Sequence, residues 1–229
     1  MTLRGCFVTG TDTGAGKTVV AAAIVAALRA QGATVAAFKP VVTGVGADSD
    51  DDAWPADHEL LAGAAGCRPE DVTARTFEPA VSPHLAAELA GTELVFGDLV
   101  AAARQAAIGA EILVVEGVGG LLVPLNTAHD IRDLAVALAL PLVIAARPGL
   151  GTINHSLLTI EAARAAGLDV RGVVLTPWPE EPTVMERSNR DTIARAGGVA
   201  VAGLPPTSPD VADLAAAGAT LPLDGWLAP

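Results

Sequence analysis

The 229-residue chain has no Tyr, only four Phe and three Trp, so aromatics make up 3% of it. Its two cysteines, Cys6 and Cys67, are too few for a disulfide framework and have no metal-site spacing. Both read as packing residues in a reducing compartment. Positive charge is scarce: 14 Lys and Arg stand against 26 Asp and Glu, a formal net charge of −12. That balance argues against nucleic acid or an anionic membrane as main partner, since both need clustered Lys and Arg. The longest apolar run, Leu134 to Ala146, is 13 residues and is broken by Pro141, whereas a membrane-spanning helix needs roughly 20. The opening Met-Thr-Leu-Arg-Gly-Cys carries no signal-peptide pattern, so a cytoplasmic location is expected. The rest, 51% apolar and 17% charged, is globular composition with enough chain for a sizeable core.

Short apolar runs alternate with longer Ala-rich stretches along the whole chain. Strands are expected at Leu3–Thr9, Thr34–Phe38, Ile112–Glu116, Leu142–Ala146, Val170–Leu175 and Val199–Ala202. Helices are expected at Lys17–Gln31, Asp57–Ala65, Leu94–Ile108, Ile131–Leu138, Ile153–Ala166 and Pro182–Ala196. Nearly continuous Val, Ile, Leu and Ala in several strands implies helices on both faces. Such alternation gives right-handed crossovers and a doubly wound parallel sheet. No linker or repeat divides the chain, so residues 1–229 read as a single α/β domain. Thr43 to Pro55, rich in Gly and Asp, reads as a long functional loop. The Pro-rich tail from Pro205 onward is expected to wrap across the surface.

Phe7-Val8-Thr9-Gly10-Thr11-Asp12-Thr13-Gly14-Ala15-Gly16-Lys17-Thr18 joins the first strand to the first helix. Glycines let the backbone fold round phosphate oxygens, and the N–H groups at the helix start point at the anion. Lys17 would bridge the outer phosphates and Thr18 Oγ would ligate Mg²⁺. The usual loop has four residues between its glycines, but Thr11 stands where the first Gly is expected and Gly10 leaves a gap of five. Glu116 ends an apolar strand beside Gly117-Val118-Gly119-Gly120, in the crevice where such sheets bind ligands, and is a candidate Mg²⁺ ligand. Pro40 stops strand pairing and holds Lys39 at a strand tip in the same crevice. Two lysines converging in an acidic protein suit a strongly anionic ligand or transition state.

At these residues the sequence resembles the dethiobiotin synthetases. The matches are Val8-Thr9-Gly10-Thr11-Asp12-Thr13 with Gly16-Lys17-Thr18, Lys39-Pro40-Val41 with Thr43-Gly44, Ser82-Pro83-His84, Val115 to Leu121, and Gly151-Thr152-Ile153-Asn154-His155. They fall in family order over nearly the whole chain, and the five-residue gap is similar to that family's own variant of the phosphate loop. The resemblance implies a P-loop fold and a ligase that uses ATP, Mg²⁺ and CO₂ to convert 7,8-diaminopelargonic acid to dethiobiotin. A substrate amine captures CO₂ as carbamate, the carbamate attacks the γ-phosphate, and the second amine closes the ureido ring. The approach of two anions would be screened by Lys17, Lys39 and Mg²⁺, and phosphoryl transfer of this kind needs no nucleophilic side chain.

Residue by residue, the resemblance implies that Gly14, Ala15, Gly16, Lys17, Thr18 and Val19 cradle the nucleotide phosphates, with Glu116, Gly117, Val118 and Gly119 close by. Lys39 becomes the key catalytic residue with Lys17, and Thr11 and Thr43 contact the diamine or its carbamate. A further metal-binding Asp is expected, and Asp57 fits because it opens a helix with an apolar position four residues on; the acidic run Asp50–Asp52 competes with it. The substrate's carboxylate tail would be held at Leu150, Gly151, Thr152 and Asn154, where helix-start N–H groups are free. That helix end would lie at a homodimer interface, with Asn189 where relatives place a Tyr; His155 is either a tail contact or an ordinary helix-start residue. Thr176, Pro177, Pro205, Pro206 and Thr207 fall where the family contacts the base. Many members carry an Asn where Thr176 stands and read adenine with it, which leaves other nucleoside triphosphates open here. Trp178 is either a stacking or a packing residue.

Two alternatives share the loop variant. Cobyrinic-acid-type amide synthetases need a further glutamine-handling domain, for which the chain ending at Pro229 leaves no room. Partition-type ATPase switches carry an extra Lys early in the loop and often a basic surface; here Thr11 and Asp12 stand in that region and the charge is −12.

Overall fold

The computed structural model describes residues 3–45, 54–73 and 75–227. In chain order the strands are β1 (Gly5–Gly10), β2 (Val35–Phe38), β3 (Val42–Thr43), β4 (Thr76–Phe77), β5 (Ile112–Gly120), β6 (Leu142–Ala146), β7 (Val170–Leu175) and β8 (Ala200–Gly203). The helices are α1 (Lys17–Ala30), α2 (Asp57–Ala65), α3 (Pro69–Val72), α4 (Pro83–Leu89), α5 (Phe96–Ala106), α6 (Ile131–Leu138), α7 (Thr152–Ala165), α8 (Val184–Gly197) and α9 (Val211–Gly218). Six strands form one sheet in the order β2-β5-β1-β6-β7-β8, parallel throughout, and β3 pairs with β4 alone. This is the doubly wound α/β fold expected from the strand–helix alternation.

Side-chain alternation divides the core into two layers. Cys6 and Val8 of β1 and Val114 of β5 point toward α1, α2 and α9, while Phe7, Leu113 and Val115 point to the opposite layer with α6 and α7. Because both faces are covered, β6 is buried at all five positions and reads as an uninterrupted apolar run. The chain leaves β1 toward β2 and β5 on one side and reaches β6, β7 and β8 on the other. A sheet whose order reverses beside one strand opens a crevice at the strands' C-terminal ends, and here that crevice lies at the end of β1.

The structure departs from the sequence expectations in four places. Thr43 is not in a loop but pairs with Phe77 across β3 and β4. Glu116 does not end its strand: β5 continues to Gly120, whose partner is Gly10, so Glu116 is internal and fully buried. The tail from Pro205 does not merely wrap the surface. Leu214 and Ala217 of α9, then Leu221, Leu223 and Trp226, enter the core against α1, and Gly218 lies so near the Ala23 carbonyl that no Cβ would fit. The small residues of α1 permit that approach. Cys6 is buried as expected, but Cys67 is exposed and does not pack.

Candidate active site

The phosphate loop runs from the end of β1 to the start of α1. Gly14 and Gly16 take φ values of 68° and 83°, which a residue with a side chain rarely adopts. A Cβ on Gly16 would lie 2.5 Å from Thr176 Cγ2, so this glycine also lets the end of β7 close onto the loop. Gly16 caps α1 without a side-chain hydrogen bond, leaving the first helical N–H groups for a ligand. Lys17 Nζ donates to the Asp12 carbonyl at 3.0 Å. Burial lowers the Lys17 pKa, Glu116 opposes that and Lys39 adds to it.

Three elements bring charge to one point beside the loop. β2 ends at Phe38 and delivers Lys39, which is 2% exposed. β5 delivers Glu116 on the α1 side of the sheet, where Val114 also points. At the start of α2 the Ala56 N–H is capped by Glu59 Oε2 at 3.0 Å, so the neighbouring Asp57 carboxylate is left to face inward. Lys39 Nζ lies 2.6 Å from Asp57 Oδ2 and 2.6 Å from Glu116 Oε1. Burial disfavours the Lys39 charge, but Glu116 and Asp57 outweigh it and hold the ammonium above its ordinary pKa. Glu116 is held above the ordinary carboxylate value by burial, with Lys39 working against it. Asp57 is also pushed up by burial, yet the charge and hydrogen bond of Lys39 bring it below its ordinary value.

Thr18 Oγ1 lies 2.8 Å from Asp57 Oδ1 and 2.9 Å from Glu116 Oε1. One hydroxyl has one proton, so it can donate to only one of the two carboxylate oxygens. Glu116 Oε2 is buried with no hydrogen-bond partner. Converging hard oxygens with unspent lone pairs fit Mg²⁺, which takes one or two carboxylates and fills its octahedron with water and phosphate oxygens. Among the described residues no group of three or more His, Cys, Asp or Glu forms a metal cluster. The competing Asp50–Asp52 run lies outside the described residues.

Lys17, Thr18, Lys39 and Asp57 line a cavity of about 1220 Å³, while Glu116 is fully buried and is not on its wall. Gly14, Gly16, Val19, Thr43, Val118 and Gly119 line it as well. Thr176, Pro177, Pro205, Pro206 and Thr207, the segments expected at the base, line the same cavity, with Thr176 packed directly against Gly16 of the phosphate loop. Trp178 is not on its wall; it packs against Gly203 and lies under the Arg190 guanidinium, 5.3 Å away.

Other sequence candidates lie elsewhere. The Thr11 N–H is tied to the Ala145 carbonyl at 3.0 Å, Ala15 is buried, and Gly117 packs against Ile131 and Phe7; none lines the cavity. Leu150, at 89% exposure, stands on the surface with Gly151, Asn154 and His155, while Thr152 is buried. Asn189 Nδ2 donates to the Pro148 and Gly149 carbonyls at 2.9 and 3.3 Å and braces that loop. Sequence reasoning missed Arg147, Trp54 and Val81, all on the cavity wall. For Arg147 a signal existed in its position directly after a strand of the parallel sheet.

Comparison with known proteins follows the same lines. Residues 4–214 match a family described as AAA domain. The chain is 42% identical to the ATP-dependent dethiobiotin synthetase BioD of Anaeromyxobacter dehalogenans (strain 2CP-C), over 92% of this chain and 93% of that protein. It is 42% identical to the protein of the same name from Rhodococcus erythropolis (87% and 86% covered) and 34% to that of Bacillus subtilis subsp. natto (89% and 87%). A ParA family ATPase from Chlorobium tepidum TLS aligns with a TM-score of 0.55 over 93% of this chain and 90% of that one, at 13% identity, a likeness of fold alone. With its phosphate loop, its doubly wound sheet and these identities over nearly its full length, the chain belongs to the ATP-dependent dethiobiotin synthetase family of ligases.

Proposed function

We propose that this chain joins CO₂ to 7,8-diaminopelargonic acid and closes the ureido ring of dethiobiotin at the expense of ATP, with Mg²⁺. The observation that carries the reading is one cavity lined by Lys17, Thr18, Lys39, Thr43 and Asp57 together with the segments expected at the base. Thr18, Asp57 and Glu116 would hold the Mg²⁺, which supplies charge neutralisation between the phosphates when bound. Lys17 and the N–H groups of Gly14 to Val19 bind the phosphates. Lys39 sits between the phosphate loop and Thr43, where it screens carbamate from γ-phosphate as they approach. The Thr43 hydroxyl orients the carbamate-bearing amine. Transfer of the γ-phosphoryl group to the carbamate oxygen then gives a mixed carbamic–phosphoric anhydride, and the second amine expels phosphate as the ring closes.

The carboxylate tail belongs, on this reading, to the start of α7. The N–H groups of Ile153 and Asn154 have no intrahelical partner there, and Asn189 holds the preceding turn in shape. Leu150, Leu158, Val184 and Met185 are exposed aliphatic residues on that turn, α7 and α8. They support a homodimer in which this turn reads the tail of the substrate bound to the other subunit. In a cytoplasmic enzyme, CO₂ would come from the bicarbonate pool.

The test is phosphate release from Mg·ATP with and without diaminopelargonic acid plus bicarbonate, repeated with CTP and GTP. Release that requires both additions is the expected result, and the nucleotide series reports how strictly a site with Thr176 selects its base. Phosphate release indifferent to the diamine would sink the synthetase reading.

A further inference from the structure

Arg147, the residue after β6, lines the cavity beside Thr13, Gly14, Gly16 and Lys17. Its Nε donates to the Gly14 carbonyl at 3.0 Å. A Cβ on Gly14 would lie 2.6 Å from Arg147 Nη2, so the glycine makes room for the guanidinium as well as for the turn. Arg68, Arg132, Arg171 and Arg190 are paired with Asp side chains, and of the arginines that form no such pair among the described residues, Arg147 is the one that lines the cavity. Among the described residues Arg147 pairs with no carboxylate and its only hydrogen bond is through Nε. In a chain of net charge −12, a cation left unpaired on a cavity wall is available to an anionic ligand. The anchored Nε leaves the four Nη protons, a rigid fork suited to two phosphate oxygens at once.

We propose that Arg147 is a phosphate-binding residue of the nucleotide site, fixed to the outside of the phosphate loop through Gly14 and presenting its Nη groups to the nucleotide's polyphosphate. The inference rests on the nucleotide reading above. Lys17 supplies a point charge from within the loop, whereas Arg147 adds a planar donor pair from the β6 side. The Nε hydrogen bond already orients this exposed side chain, so part of its rotamer freedom is given up before the ligand arrives.

The experiment is calorimetric titration of wild type, Arg147→Gln, Arg147→Lys and Lys17→Met with Mg·ATP and, separately, with inorganic tripolyphosphate at several salt concentrations. Loss of charge-assisted hydrogen bonds predicts about 10- to 100-fold weaker binding of both probes by Arg147→Gln. Arg147→Lys should recover part of this, as a charge without the fork. The salt dependence of binding should be shallower in Arg147→Gln and retained in Arg147→Lys. Weaker binding with an unchanged salt dependence would mean that Arg147 only props the loop, and would overturn the proposal. So would unchanged nucleotide affinity, with or without a raised KM for the diamine. If Lys17→Met binds Mg·ATP as wild type does, the nucleotide-site reading itself fails. Loss in Lys17→Met but not in Arg147→Gln removes only the present inference.

Discussion

Two regions at the C-terminal edge of the sheet are built in opposite ways. Around Lys39 everything charged has a charged neighbour: Asp57 and Glu116 each lie 2.6 Å from its ammonium, and Thr18 reaches both carboxylates. Around Leu150 the chain offers a bare turn, braced from behind by Asn189 but open to solvent in front. The first region is complete within one chain because buried charges are costly unless paired. The second has no such constraint, and an exposed leucine there gains nothing until another surface covers it. On the proposed reading, chemistry is prepared inside the protomer and recognition of the tail is left to assembly.

The largest expected effect comes from breaking the charged region. Lys39→Ala removes the ammonium from between two carboxylates, and breaking a buried pair in this way costs about 3–5 kcal/mol. Because Asp57 is partly exposed, the lower end of that range is expected. Product formation should fall by about 10²–10³-fold through lost charge stabilisation. Mg²⁺ would bind the two carboxylates left behind, so added Mg²⁺ should restore part of the lost melting temperature in the variant. Thermal melts with and without Mg²⁺ read this directly, and a variant indifferent to Mg²⁺ would remove Asp57 and Glu116 from the metal assignment.

Breaking the second region should change assembly rather than chemistry. Leu158 is 56% exposed on α7 and belongs to neither buried core cluster, so Leu158→Glu leaves the core intact. On the proposed reading, sedimentation should show the wild type as a dimer and the variant as a monomer. Its KM for the diamine should rise by about tenfold, roughly the loss of one good contact, while Mg·ATP affinity holds. A variant that sediments with the wild type would refute the interface.

How much of each region could be read from the sequence follows from the same contrast. The phosphate loop and Lys39 were legible because local rules fix them: Gly14 and Gly16 mark positive φ, and Pro40 ends β2. Asp57 was legible only as the opening residue of a helix, and its distance to Thr18 depends on how α2 docks on α1. Glu116 was recognised but misplaced, since its strand continues through glycines that propensity would end. The helix α9 was missed because the surrounding prolines suggest an unstructured tail, whereas its burial arises from the small residues of α1. Asn189 looked like a ligand contact from its place in the chain. Only the folded structure shows its Nδ2 donating to the Pro148 and Gly149 carbonyls.

The smallest effect expected concerns Lys17 and sharpens the electrostatic side of the comparison. Burial lowers its pKa in the unliganded protein. A bound triphosphate favours the charged ammonium and so raises that pKa. Between the two values the free protein has lost a proton that the complex retains, so binding takes one up and affinity declines as pH rises. Below the free-state value Lys17 is already charged, and no uptake occurs. Calorimetry of Mg·ATP binding in buffers of differing ionisation enthalpy should therefore report proton uptake that grows as the pH is raised through the free-state value of Lys17 and vanishes well below it. Lys17→Met should abolish this growth. If uptake persists in that variant, another group carries the titration, and the buried lysine is not what the phosphates sense.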